Sequence, residues 1–315
     1  LRDGEVRQHS EPSVAAVGVF DGLHLGHQKV LEHVRVLALE HGAVSTVVTF
    51  DPHPAITLAP DRAPRQLATL DQRLEGLAKL GLEQVRVVTF DKVLAQESAE
   101  SFVERVLVGE LGVRDVVVGE DFAFGHGREG NVETLRLEGR FHGFRVHPAP
   151  IYSGTQRWSS TEARRAITSG DLDAATAILG RPFTLRGQVV HGDARGAQLG
   201  FATANLALAP RQQLPSLGIY AGAVHLRDGS WWPAAISVGT RPQFYDDGDL
   251  LAEVHVPGFR GDLYDQRVDV AFLTRLRSEM KFANPAELVL KIGDDVERTL
   301  KIYTKFNPES SALLG

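Results

Sequence analysis

Two imidazoles, His24 and His27, flank Gly26 just after the turn Asp21-Gly22. The preceding residues 14–20 are small and β-branched, the texture of a buried strand. Val30, Leu31, Val34 and Leu37 follow at the spacing of one helical face. The histidines therefore stand at a helix start, where unpaired N–H groups and a partial positive charge favour anions. Gly26, without a side chain, lets a phosphate approach the backbone, and both histidines can donate to charge building up on it. Histidines three apart are also common on plain surfaces. The strand–turn–helix context tips the reading, because phosphate sites in α/β proteins lie at the carboxyl ends of strands.

Two further groups could act on phosphates. Ser159, Ser160 and Thr161 open a helical stretch, with Arg164 four residues beyond Ser160. Hydroxyls and free N–H groups bind phosphate, and an arginine one turn on neutralises a leaving polyphosphate. Taken alone, the same residues read first as a serine cap with a surface arginine. Gly192, Gly196 and Gly200 recur every fourth residue after a strand, followed by Thr203 and Asn205. Such glycines bring backbone N–H groups towards phosphates, and the two side-chain oxygens suit magnesium. A glycine-rich hairpin without ligand has the same composition.

The elements that must position these groups fall into two textures. Strand candidates at 14–20, 44–50, 84–90, 115–119 and 144–147 alternate with helical patterns, which implies a parallel sheet covered on both faces. Thr69 and Gln72 have capping-box spacing, and Ser98 caps a helix carrying Phe102, Val103, Val106 and Leu107. A helical segment, 160–179, interrupted at Gly170-Asp171, closes this half. Beyond Phe183 short strands dominate, at 184–190, 220–226, 231–238, 252–256 and 267–272, with a hairpin turn at 227–230. Asn284, Pro285 and Glu287 then cap a long closing helix. Antiparallel strands with one helix suggest a small barrel, and the boundary is expected at 182/183.

The 315 residues suffice for two domains. A net charge of −6 argues against a nucleic-acid or membrane-surface partner. The absence of cysteine removes disulfides, thiolate metal sites and thiol nucleophiles, and fits a cytoplasmic protein. No apolar run is long enough to span a bilayer, and residues 1–13 lack the apolar core of a signal peptide.

The segments GVFDGLHLGH, TFDPHP, VVVGEDFAFGHGREG and SSTEAR resemble, in order, the adenylyltransferase half of the prokaryotic bifunctional riboflavin kinase/FAD synthetase family, within the HxGH nucleotidyltransferase superfamily. GQVVHGDARGAQLGFATANL resembles the kinase signature Gly-xxx-Gly-xxx-Gly-x-Pro-Thr-Ala-Asn, and VGTRP, AEVH and LRSEMKF resemble downstream kinase segments. The resemblance implies a Rossmann-like domain over 1–182 and a six-stranded antiparallel barrel with a terminal helix over 183–315. It implies that ATP phosphorylates riboflavin to FMN in the second half and adenylylates FMN to FAD in the first, with Mg2+ as cofactor. His24, His27 and Arg164 would stabilise the transferring phosphates, with Ser159, Ser160 and Thr161 holding them; Gly18, Phe20 and Asp21 would line the nucleotide pocket. Asp121, Phe122 and Phe124 would lie near the flavin, although the phenylalanines read equally as core. In the kinase half Gly192, Gly196 and Gly200 would cradle ATP, Thr203 and Asn205 hold the metal, Glu253 act as base and Arg277 contact the flavin.

Three positions depart from the pattern. Glu162 replaces a usual basic residue, Ala202 replaces the signature proline, and Gln243 stands in the family's Pro-Thr-Phe segment. Ala202 gives up a backbone constraint before Thr203, so a more mobile loop is expected. These departures keep two rivals open: an FMN adenylyltransferase with an impaired kinase, and a flavin-binding regulator without turnover. The intact His24, His27, Arg164, Asn205 and Glu253 speak against the regulator. The expected partners are small molecules alone, and a homo-oligomer is compatible with the sequence.

Overall fold

The computed structural model of the protein describes residues 11–149, 157–191, 201–240, 250–310 and 313. Two compact units share the chain. One comprises Leu1–Pro64 and Leu70–Trp158, the other Arg65–Thr69 and Ser159–Gly315.

The first unit runs β1 (Ser13–Val17), α1 (Leu25–His41), β2 (Val44–Asp51), α2 (Pro54–Leu58), α3 (Leu70–Lys79), β3 (Gln84–Thr89) and α4 (Ala99–Phe102). A π-helical stretch, Val103–Glu110, continues α4. Then follow β4 (Val113–Gly119), the short β5 (Ala123–Phe124) and β6 (Gly130–Asn131), α5 (Val132–His142) and β7 (Arg145–Ala149). The sheet has the order β3-β2-β1-β4-β7 and all its pairings are parallel. Every residue of β1 is buried, as a central strand covered on both faces requires. Phe102, Val103, Val106 and Leu107 pack with Val116, Val118, Leu135 and Phe144 on one side of it. Ser98 accepts a bond from the Ser101 N–H at 3.2 Å, the cap expected from sequence.

Strand β1 is shorter than the expected 14–20. It ends at Val17 because Phe20 and Leu23 take left-handed φ values of 55° and 44°, which no strand accommodates. The residues freed from the sheet form the loop that leads into α1.

The second unit begins with α6 (Ser160–Ser169) and α7 (Leu172–Leu179), separated at Gly170-Asp171 as anticipated. Six strands follow: β8 (Phe183–Val190), β9 (Thr203–Leu208), β10 (Gly218–His225), β11 (Trp231–Thr240), β12 (Leu250–His255) and β13 (Arg267–Arg277). They close into an antiparallel barrel in the order β10-β11-β12-β9-β8-β13. Leu206, Ile236, Val238, Ala252 and Val254 are at most 3% exposed and fill its interior. The β10–β11 turn falls at 227–230, with Gly229 at φ 85°. Strand β9 holds Thr203 and Asn205, which the sequence marks only as ligand candidates after the glycine loop. The closing helix α8 (Pro285–Tyr303) starts as foreseen, Asn284 Oδ1 accepting from the Glu287 N–H at 2.9 Å and Glu287 Oε2 from the Ala283 N–H at 3.1 Å.

Candidate active sites

The loop 18–24 crosses the carboxyl end of β1. His24 caps α1: its Nδ1 accepts a bond from the His27 N–H at 3.3 Å. The two imidazoles stack, with centroids 3.6 Å apart and planes inclined by 22°, and the Phe20 ring meets His27 edge-on at 5.1 Å. His24 is 6% exposed and Phe20 4%. Gly26 fills a gap that admits no side chain. A Cβ there would lie 3.1 Å from His24 Nδ1 and 3.2 Å from the Trp158 carbonyl oxygen. Gly18 is similarly confined, under the Phe20 ring. The first turn of α1 carries no carboxylate, whereas α5, α6, α7 and α8 each carry one. The positive end of α1 is thus left for another anion.

Beside this loop lies a cleft of about 550 Å³, lined by Gly18 and Val19, Phe50, His53 and Pro54, Phe90, and Asp121 to Phe124. Phe122 and Phe124 stack at 5.2 Å and 17°, and Phe124 leans on Phe102 at 6.1 Å. Both rings back onto the core while lining the cleft. Gly125, at φ 75°, brings the loop onto α4 so closely that a Cβ would sit 2.7 Å from the Ala99 nitrogen. His53 caps α2 through Nδ1, 3.1 Å from the Ala55 N–H. The only sequence signal for Phe50 and His53 is the run TFDPHP, with aromatic and proline residues following a strand.

Asp21 is buried, 3% exposed. Its charge supports that of Arg73, another residue the sequence did not single out. Arg73 is 2% exposed and hydrogen-bonds the end of β2 and the Val19 carbonyl.

The second phosphate motif opens α6, in the other unit. Ser159 is the N-cap, its Oγ accepting from the Glu162 N–H at 3.2 Å. Ser160 and Thr161 form the first turn, and Arg164 Nε donates to the Arg65 carbonyl at 2.6 Å. Glu162 pairs with Arg165 at 3.0 Å, which occupies the carboxylate that departs from the family pattern.

On the barrel, Asn205 stands opposite Glu253 and Glu253 opposite Ser237, while Thr203 stands opposite His255. Directly opposed residues share a face, here the outer one, since Ala252 and Val254 point inward. A cleft of about 620 Å³ lies there, lined by Thr203, Ser237, Glu253 and Arg277, with Leu288, Ile292 and Asp295 contributed by α8. Arg277 donates from Nε to Asp295 Oδ2 at 2.8 Å and stands 5.7 Å from the centre of the Phe282 ring. His255 Nδ1 lies 2.8 Å from the Ala202 carbonyl, which tethers the backbone where the signature proline is missing. Gly192, Gly196, Gly200 and Gln243 lie outside the described residues.

Two family models match the chain. Residues 6–162 match the FAD synthetase model and residues 179–303 the riboflavin kinase model. The chain is 40% identical to the bifunctional riboflavin kinase/FMN adenylyltransferase of Pseudomonas fluorescens, covering 92% of this chain and 93% of that protein. The chain belongs to the bifunctional riboflavin kinase/FMN adenylyltransferase family. Other members of that name are the Escherichia coli protein, 36% identical over 90% of this chain and 91% of its own, and the Bacillus subtilis protein, 32% identical over 95% of each. A crystal structure described as a macrolide-efflux protein from Streptococcus pneumoniae superposes with a TM-score of 0.83 at 30% identity, over 94% of this chain and 96% of that one. Among the described residues no helix is long and apolar enough to cross a membrane. Membership makes the chain a transferase with kinase and nucleotidyltransferase chemistry, acting on riboflavin, FMN and ATP.

Proposed function

We propose that the loop 18–27 and the cleft beside it carry adenylyl transfer, and that the outer face of β9, β11 and β12 under α8 carries riboflavin phosphorylation. We keep the functional boundary at 182/183, just inside the start of the second matched segment, 179–303. The stacked His24–His27 pair at an acid-free helix start carries the first assignment.

In adenylyl transfer an FMN phosphate oxygen bonds to the α-phosphorus of ATP while the bond to the bridging oxygen breaks and pyrophosphate leaves. No covalent enzyme intermediate is required, so alignment and charge stabilisation do the catalysis. His24 and His27 donate to the transferring phosphate. Gly18 and Phe20 bound the nucleotide side, and Gly26 lets the phosphate reach the backbone. Ser159, Ser160, Thr161 and Arg164 bind the departing phosphates. Asp121, Phe122 and Phe124 hold the flavin, the stacked rings offering the apolar surface that an isoalloxazine covers. Asp21 lines the nucleotide side with Gly18 and Phe20, and its charge favours that of Arg73.

In the kinase reaction the ribityl hydroxyl attacks the γ-phosphorus of ATP, the bond from that phosphorus to the β,γ-bridging oxygen breaks so that ADP leaves, and Glu253 accepts the hydroxyl proton. Arg277, fixed by Asp295, bounds the flavin side of that cleft. Gly192, Gly196 and Gly200 cradle the ATP phosphates. No group of three or more acidic, histidine or cysteine side chains among the described residues could hold a metal alone. Thr203 and Asn205, both oxygen donors on one face of β9, fit magnesium that is shared with substrate phosphates. When bound, the ion would neutralise phosphate charge.

The substrates are small molecules, the setting cytoplasmic in keeping with ATP use and the absence of cysteine, and neither nucleic acid nor membrane is a partner. The test is to supply riboflavin, ATP and magnesium to the purified chain and resolve the products. Formation of FMN followed by FAD supports both sites. FAD only when FMN is supplied would remove the kinase assignment, and neither product would leave a binding protein.

A further inference from the structure

Arg73 lies on α3, in a helix whose other inward positions are leucine or glycine, and it is 2% exposed. A guanidinium costs heavily to bury unless its donors are met. Here they are met by one set of atoms. Nη1 donates to the Val19 carbonyl at 2.8 Å, to Thr49 Oγ1 at 3.1 Å and to the Phe50 carbonyl at 3.2 Å. Nη2 donates to the same Phe50 carbonyl at 3.3 Å and to Asp51 Oδ1 at 3.5 Å. Thr49 Oγ1 in turn donates to the Val19 carbonyl at 3.1 Å, closing a ring of bonds. Burial disfavours the charge, while Asp21 and Asp51 favour it.

The partners are what matter. Val19 belongs to the loop that ends in His24 and His27, and that loop holds left-handed φ values at Phe20 and Leu23. Such backbone persists only where its surroundings over-determine it. Phe50 and Asp51 end β2 and lead into His53 and Pro54, which with Phe50 line the cleft. One planar fork thus joins the backbone under the imidazole pair to the backbone of the cleft wall. Lysine, with a single nitrogen, cannot reach both sides in a fixed plane.

We infer that Arg73 is a positioning residue for adenylyl transfer: by clamping the Val19 and Phe50 carbonyls together, it sets the distance between the phosphate-binding histidines and the bound flavin nucleotide. It touches neither reactant. The inference rests on the adenylyl-transfer reading of the first unit.

The test compares wild type with Arg73→Lys, which keeps the charge, and Arg73→Met, which keeps the stem. Each is assayed in the full chain for FMN-to-FAD conversion, with KM for ATP and for FMN measured separately from kcat, for riboflavin phosphorylation, and for thermal melting. A misplacement near 1 Å costs about 100-fold. Arg73→Lys is therefore expected to lose about 100-fold in kcat for FAD formation. The two KM values should change far less than kcat, and riboflavin phosphorylation should remain at the wild-type rate. If folded Arg73→Lys stays within threefold of the wild-type kcat, the clamp is not needed. If both variants lose activity only in proportion to their unfolded fraction, Arg73 is merely structural. Wild type that forms no FAD from FMN and ATP would instead overturn the reading beneath, and the inference with it.

Discussion

Substituting alanine for Gly26 adds one methyl group between the His24 ring and the Trp158 carbonyl. That Cβ would stand 3.1 Å from His24 Nδ1 and 3.2 Å from Cε1, against 3.4 Å for ordinary contact, so the ring must give by about 0.3 Å. The Trp158 oxygen, 3.2 Å away on the other side, is backbone and yields less easily. His24 cannot slide without disturbing its stack on His27 or the bond that caps α1. Stability and activity should therefore move apart. Alanine is favoured over glycine in helices by about 1 kcal/mol, which offsets the crowding, so melting should change little. If 1 Å of misplacement costs about 100-fold, 0.3 Å scales to about fourfold, and the methyl also covers the backbone that a phosphate must approach. FMN-to-FAD conversion should fall by about fourfold to 50-fold. Riboflavin phosphorylation, followed in the same sample by chromatography, serves as the internal control and should be unchanged. A folded Gly26→Ala protein making FAD at the wild-type rate would refute the reasoning that places the phosphate over this helix start.

Other substitutions divide the two activities. His27→Ala should lower FAD formation by about 100- to 1,000-fold, the loss seen when one donor to developing charge is removed, while FMN accumulates from riboflavin. Glu253→Gln should do the reverse, cutting riboflavin phosphorylation by about 100- to 10,000-fold and leaving FMN-to-FAD conversion intact. A folded variant of either kind losing both products would contradict two separate sites. Asp115, fully buried, binds His147 at 2.7 Å, Arg145 at 2.8 Å and His41 at 2.7 Å. Burial works to raise its pKa, but the bonds from His147 and Arg145 outweigh burial and hold it below the ordinary carboxylate value. A carboxylate whose folded pKa is depressed stabilises above its unfolded value, near pH 4, and that contribution fades as pH falls through the folded value. Melting curves should show the wild type losing stability below about pH 4 more steeply than Asp115→Asn, and Asp115→Ala losing about 3–5 kcal/mol at pH 7.

What could be read in advance was local. The β-branched run of β2, the turn at 227–230 and the Asn284 cap each follow from a few adjacent residues, and each stands where expected. The imidazole pair was legible for the same reason, being set by a turn and a helix start. What escaped depends on distant partners. Thr203–Leu208 becomes a strand because β8 and β12 pair with it. Arg73 on a helix looks like a solvated cation until Val19 and Phe50 are brought beneath it. Asp115 looks like a polar residue at a strand start until Arg145, His147 and His41 arrive from elsewhere in the chain.

The kinase cleft draws Leu288, Ile292 and Asp295 from α8, after every strand of the barrel. During synthesis, all six strands can leave the ribosome before that wall exists. On the proposed assignment, a nascent chain would own its imidazole pair early and the completed groove under α8 last. Ribosomes stalled before residue 285 would carry all six strands of the barrel but a groove lacking one wall, and on that assignment could not yet supply the intermediate that the earlier-made half consumes.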